Sequence, residues 1–148
     1  MSAPVAGAGV VCLRAGPAGE EVLLIRRGKA PRIGEWSLPG GRIEWGERAA
    51  DAALRELVEE TAVSAELLGL LDVVDGLFAD EAGALEGHYL LVDYAARWIG
   101  GEPKAGDDAS EARFWPAPDA IGLVRWSETR RIIALALERF GNGGQPWR

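Results

Sequence analysis

The sequence predicts an α/β or α+β domain built on a sheet that is covered on both sides. Apolar strand candidates occur in both halves of the chain, two well-separated stretches have helical periodicity, and glycine- and proline-rich segments punctuate them. With 148 residues, 48% of them hydrophobic and 26% charged, the chain has the size and composition of one soluble globular domain spanning residues 1–148.

Val5–Leu13 and Glu21–Arg26 read as strands joined by the turn-forming Ala15-Gly16-Pro17-Ala18-Gly19. Gly28–Gly41 reads as a loop carrying a short extended piece around Trp36–Leu38. Arg48–Thr61 is the first helix, with alanines, Leu54, Leu57 and Val58 on its apolar side. Leu67–Leu77 and Tyr89–Trp98 are strand candidates, with a hairpin tip at Gly83–Gly87. Glu111–Trp115 is a short strand stopped by Pro116 and Pro118. Ser127–Phe140 is the second helix, capped by Ser127 and ended by Gly141.

Composition excludes several classes. A net charge of −7 argues against a nucleic-acid polymer as partner. No apolar run approaches the ~20 residues that span a bilayer. The N-terminal stretch has no basic residue ahead of its apolar part, which argues against a secretory signal. One cysteine, Cys12, cannot form an internal disulfide, which fits a reducing cytoplasm. Its place in an apolar strand reads as a buried small hydrophobe.

The segment Gly40–Val63 carries the chemistry. At about 100° per residue, Glu56, Glu59 and Glu60 fall within an arc of roughly 100° on one helix face. Carboxylates that close repel one another unless a positive charge lies between them. An all-oxygen site favours magnesium, manganese or calcium over zinc. The alternating Asp/Asn ligands of an EF-hand are absent, which argues against a calcium module of that kind. Glu47 lies well away from this arc, near the helix start. Arg26, Arg27, Lys29 and Arg32 form a basic run, and its arginines are candidates for a substrate phosphate.

These residues resemble the Nudix hydrolases, whose pattern is G-x5-E-x7-R-E-U-x-E-E-x-G-U, with U a bulky aliphatic residue. Gly41, Glu47, Arg55, Glu56, Leu57, Glu59, Glu60 and Val63 match, and Ala62 stands where the family has glycine. The resemblance implies a Nudix-type α/β/α sandwich with a mixed β-sheet and a loop-helix-loop catalytic motif. It also implies Mg²⁺, with Mn²⁺ as substitute, held by the Gly40 carbonyl, Glu56, Glu59 and Glu60. Glu47 and Arg55 would brace the motif, and the general base would be Glu56 or Glu111, with Asp107 and Asp108 weaker candidates.

Substrate contacts are expected at Arg26, Arg27, Arg32, Gly41 and Trp36. Trp36 and Trp45 would either stack on a base or pack the loop. His88 reads as a strand residue, and Trp98, Trp115, Trp126 and Trp147 are unsorted. Trp36–Gly41, the strand from His88 to Trp98, and Asp107 through Trp115 together look like bacterial ADP-ribose pyrophosphatases, which implies ADP-ribose hydrolysis to AMP and ribose 5-phosphate. The enzyme rival is a mutator-protection (d)NTP pyrophosphohydrolase, and the non-enzyme rival a nucleotide-sensing Nudix-fold module. The implied partner is a small nucleotide, with a homodimer as an open expectation, and neither nucleic-acid polymer nor membrane is expected.

Overall fold

The computed structural model describes residues 3–30 and 32–144, so Trp147 lies outside the described residues. Seven strands form one sheet: β1 (Val5–Gly16), β2 (Gly19–Arg27), β3 (Trp36–Ser37), β4 (Gly40–Arg42), β5 (Ser64–Ala79), β6 (Leu85–Gly100) and β7 (Ala109–Pro116). Three helices complete it: α1 (Ala49–Thr61), α2 (Ala117–Leu123) and α3 (Ser127–Gly144). The strand path is β3-β2-β1-β6-β5, with β4 beside β1 and β7 beside β2. β1 and β6 run parallel and the other pairs antiparallel, so the sheet is mixed.

Strand alternation places one core on each side. Val11, Leu13, Val22, Leu24 and Ala95 pack with Ala120, Ile132, Ile133, Ala136 and Phe140 of α2 and α3. The intervening Val10, Cys12, Leu23 and Ala96 face Ala52, Ala53 and Leu57 of α1. This is the period-two pattern of a sheet buried on both faces, and it yields the α/β/α sandwich. Leu57 is fully buried, so truncating it to alanine would cost about 2–5 kcal/mol. Cys12 is fully buried within the sheet, and burial pushes its thiol up to about 12.

Several boundaries differ from the sequence expectation. β5 and β6 are longer than periodicity suggested, and their turn lies earlier than Gly83–Gly87. Asp80 organises it, its Oδ1 accepting from the N–H of Ala82 and Ala84 at 2.9 Å each. β4 was not anticipated, because two of its three residues are glycine. α2 is a third helix: the prolines read as strand stops sit at its start, where a missing N–H costs nothing. Ser127 is the first residue of α3 rather than its cap, since the Arg130 N–H bonds the Trp126 carbonyl at 3.2 Å. Gly141 does not end α3, which continues to Gly144; an interior glycine costs only about 1 kcal/mol.

Two features of this fold position the chemistry. β1 and β2 pair only between Leu13–Gly16 and Gly19–Val22, with β4 alongside β1 and β3 alongside β2 farther along. The Gly40-Gly41 turn therefore sits where two strands part. At the other end, α1 closes on Ala62, which is left-handed at φ 61° and bonds its N–H to the Val58 carbonyl at 2.9 Å. The loop before β7 satisfies two more helix-end carbonyls: Lys104 N–H reaches Thr61 at 2.9 Å and Gly106 N–H reaches Glu60 at 3.0 Å.

A left-handed alanine costs about 1 kcal/mol, part of which a glycine would return through a freer unfolded chain. Ala62→Gly is therefore expected to hold or raise the melting temperature, by up to about 3 °C, with turnover unchanged. Calorimetry and steady-state assays check it, and a large loss of turnover would refute the helix-end account.

Candidate active site

Glu56 and Glu60 project from the last two turns of α1 against the Gly40-Gly41 turn, and the Glu59 carboxylate stands beside that of Glu56. A side chain at Gly41 would run into the Glu56 carboxylate, and one at Gly40 into the Ala8 carbonyl of β1. Glycine is required at both because helix, turn and strand meet without room for a Cβ. The Gly40 N–H donates to Glu60 Oε1 at 2.7 Å.

Arg55 organises the carboxylates. Its Nε and Nη2 donate to the two oxygens of Glu47 at 2.8 and 2.9 Å. Nη1 donates to Glu56 at 2.8 Å and Glu59 at 3.1 Å, and Nη2 also reaches the Arg42 carbonyl at 2.9 Å. Glu47 lies ahead of α1, not on it, and folds back to Arg55; its Oε1 also accepts the Glu44 N–H at 3.0 Å. These bonds hold the Glu47 carboxyl down at about 2, the Arg55 contact being the largest cause, while Arg55 is raised.

The remaining carboxylates shift the other way. Glu60 is only 7% exposed, and burial pushes it up to about 8 against the Gly40 hydrogen bond. Glu56 is also raised, by burial first, with Arg55 opposing.

Carboxylate oxygens of Glu56, Glu59 and Asp107 lie within 4.8 Å of one another. Asp107 is delivered by the loop strapped to the end of α1, where a side chain at Gly106 would strike the Glu59 carbonyl. Its own backbone is left-handed at φ 53°, a sparsely populated conformation of the kind that gathers at functional sites. A donor set of three carboxylates fits a hard divalent cation. Glu60 lines the same cleft of about 490 Å³, together with Arg27, Arg42, Gly40, Gly41 and Asp108.

A second cavity of about 520 Å³ adjoins it, sharing Arg27, Gly40, Gly41 and Arg42. Trp36, Phe78, Tyr89 and Trp126 give it aromatic walls, and Asp93, Arg32 and Arg125 also line it. Trp36 meets Trp115 edge-on at 5.3 Å, and Arg32 lies over the Phe78 ring at 4.5 Å.

The structure thus brings Gly40, Gly41, Glu47, Arg55, Glu56, Glu59 and Glu60 together, with Arg27, Arg32 and Trp36 on the cavity walls. Arg26 and Glu111 lie on neither cavity wall; they pair with each other at 3.1 Å between β2 and β7. Asp107, rather than Glu111, reaches the carboxylate cluster. Trp45 is fully exposed. Trp98 bonds the Gly101 carbonyl at 2.8 Å, and Trp115 packs in the α2–α3 core. His88 sits within β6 opposite Leu77. Asp93, Phe78 and Tyr89 were not singled out in the sequence. Each sits in a strand where alternation signals burial but not which buried face borders a cavity.

The family description "NUDIX domain" matches residues 4–136. An ADP-ribose pyrophosphatase of Methanocaldococcus jannaschii is 39% identical over 123 residues, 83% of this chain and 69% of that protein. A candidate 8-oxo-dGTP diphosphatase of Mycobacterium tuberculosis is 36% identical over 126 residues, 82% of each chain. The NUDIX domain of Shewanella oneidensis NrtR, solved with ADP ribose, superposes with a TM-score of 0.79 at 26% identity. That alignment covers 94% of this chain and 90% of the other.

Glu60 gives a pH signature. Between about 4.5, the ordinary value, and about 8, the folded metal-free protein keeps a proton that the unfolded chain has lost. Its contribution to stability therefore falls as pH rises through that window. In chelator, Glu60→Gln is expected to remove this part of the decline, so the variant gains stability relative to wild type as pH rises. Melting curves from about pH 5 to about pH 8.5 check it; a constant difference between the two proteins would refute it.

Proposed function

The chain belongs to the Nudix family, and on that premise we propose a single-domain, divalent-metal-dependent hydrolase that cuts ADP-ribose into AMP and ribose 5-phosphate. The observation that carries this reading is the convergence of Glu56, Glu59 and Asp107 beside a cavity with aromatic walls. Names of similar proteins support the substrate: the M. jannaschii relative is an ADP-ribose pyrophosphatase, and the NrtR domain was solved with ADP ribose.

Glu56, Glu59, Glu60 and the Gly40 carbonyl would hold Mg²⁺, with Mn²⁺ as substitute, and Asp107 is placed to join them. Bound metal neutralises the non-bridging phosphate oxygens and lowers the pKa of water. The residues supply the rest. Arg55 keeps the carboxylates in register, and Glu47 fixes Arg55 from behind. Arg27 and Arg42, lining both cavities, face the position of the diphosphate. In the reaction a water oxygen bonds to one phosphorus while the bridging P–O bond breaks. The second phosphate leaves with the bridging oxygen, and the proton lost by water passes to a carboxylate. Glu56 is proposed as that base, supported by its place in the cluster beside Asp107. Glu111 is the lesser candidate, because it lies outside the carboxylate cluster and on neither cavity wall. The reading places the protein in the cytoplasm, supported by a buried free thiol at Cys12. It also extends to a homodimer through exposed Leu70, Val73 and Leu77 on the edge strand β5.

The M. tuberculosis relative favours a second reading, pyrophosphate release from an oxidised purine nucleoside triphosphate. A panel of ADP-ribose, NADH, nucleotide sugars, diadenosine polyphosphates and (d)NTPs with Mg²⁺ or Mn²⁺ separates the two. AMP from ADP-ribose is the expected product. Pyrophosphate from triphosphates supports the rival, and tight binding without turnover makes the chain a sensor. Glu59→Gln is expected to abolish metal-dependent turnover while the circular dichroism spectrum and melting temperature stay near wild type; full activity would refute the metal-site assignment.

A further inference from the structure

Asp93 is the one strongly buried carboxylate outside the α1 cluster among the described residues, at 7% exposure. It stands in the middle of β6, between Gly9 of β1 and Asp72 of β5. Two residues on, Ala95 belongs to the α2–α3 core, as does Val11 two residues after Gly9. Asp93 therefore faces that side of the sheet, where it lines the aromatic cavity. Its side chain accepts no hydrogen bond among the described residues. A buried carboxylate in that state lacks the partners that ordinarily offset desolvation. Burial, with the like charge of Asp72, raises it to about 6. Nothing in the fold requires an acid here, since the flanking inward residues are Leu91 and Ala95. A side chain at Gly9 would strike Asp93 Oδ1, so the glycine keeps the carboxylate in place and open to the cavity.

Charge limits what can fill this end of the cavity. A phosphate is repelled by a carboxylate and drawn to Arg27 and Arg42 on the shared wall, while Arg32 and Arg125 of the same cavity are paired with Glu35 at 3.6 and 3.8 Å. A neutral group with hydrogen-bond donors is attracted. Trp36, Phe78, Tyr89 and Trp126 present ring faces and edges that suit a planar group. A nucleobase with an exocyclic amine meets both conditions, while a ribose offers donors without a flat face.

We propose that Asp93 is the base-reading residue of the site, accepting a hydrogen bond from the exocyclic amine of the substrate's purine. This rests on the hydrolase reading for the place of the diphosphate, and it names what the cavity selects. Removing a hydrogen bond to a charged acceptor changes affinity by about tenfold to a hundredfold.

Metal-free calorimetry with nucleoside monophosphates tests the assignment without any turnover. AMP against purine riboside 5′-monophosphate, and GMP against IMP, are pairs that differ only in the amine. Wild type is expected to prefer the amine-bearing member of at least one pair by about tenfold or more, and the preferred pair identifies the base. Asp93→Asn, which replaces one acceptor oxygen with a donor, is expected to bring the ratio within about threefold. Gly9→Ala, which displaces the carboxylate without removing it, should erode the ratio too and decides the matter if Asp93→Asn fails to fold. Equal binding within both pairs overturns the proposal, as does an unchanged ratio in the Asp93 variant. Discrimination that follows the ribose instead, AMP over 2′-deoxy-AMP with no amine effect, also overturns it. A preserved ratio in a protein that hydrolyses no member of the substrate panel would leave base reading intact and remove the hydrolase reading alone.

Discussion

The Arg55 guanidinium is the interaction on which the site depends. Three carboxylates, Glu47, Glu56 and Glu59, bond to this one cation, and the Arg42 carbonyl fills a remaining donor. Like charges so close cannot all stay ionised in a partly dry cleft without a positive partner. A lysine would supply the charge as a point, but only a planar fork addresses Glu47 with two donors while a third reaches Glu56 and Glu59. The asymmetry of the result matters. Glu47, taking two bonds from Arg55, is held firmly ionised, whereas Glu60, beyond reach of the fork and buried, is pushed toward neutrality. One cation thus sorts neighbouring carboxyls into a fixed brace and a set that an incoming divalent ion would ionise.

Backbone closure does the remaining positioning. α1 has carbonyls at its end that need partners, and the loop between β6 and β7 supplies N–H groups for two of them. Satisfying the helix end and delivering Asp107 are therefore one event. The close approach is possible only because Gly106 carries no side chain. The opposite wall works likewise: Gly40 and Gly41 allow β4 to lie against β1 and Glu56 at distances a Cβ would forbid. Rigid strands and a packed helix hold carboxylates more tightly than a free loop could, which is what differential stabilisation of a transition state demands.

The motif was legible because its information is local. Glu56, Glu59 and Glu60 share a helix face by arithmetic, and their partners Arg55, Gly40 and Gly41 lie within a few turns of chain. A sheet covered on both sides was legible for the same reason, from the apolar runs of β1 and β2 and the periodicity of α1 and α3, whereas the α/β/α arrangement came from the resemblance. What escaped is tertiary. Glu111 and Asp107 are four residues apart, and only the strap onto the end of α1 decides which one reaches the cluster. α2 was hidden because a proline that stops a strand also suits a helix start. Asp93 drew no notice in the sequence, since nothing in its neighbours along the chain says that Gly9 lies opposite.

Reaction and selectivity are consequently built from different materials. On the hydrolase reading, cleavage rests on α1 and the turn beside it, a contiguous stretch whose spacing groups the carboxylates. On that reading selectivity rests on β1, β3, β5, β6 and the start of α3, which meet at the second cavity through pairing and packing alone. The two join at Gly40 and Gly41, where β1 and β2 have parted and both cavities share a wall. A substitution at Arg55, Glu56, Glu59 or Glu60 of α1 disturbs the carboxylate set directly, because it removes a charge or its brace. A substitution at a cavity strand changes which group is accommodated while the carboxylates and Arg55 keep their bonds. Relatives named for ADP-ribose and for 8-oxo-dGTP fit such a division. On the hydrolase reading the constraint on cleavage lies in a few residues of consecutive chain, and the constraint on the bound group lies in strands brought together by pairing.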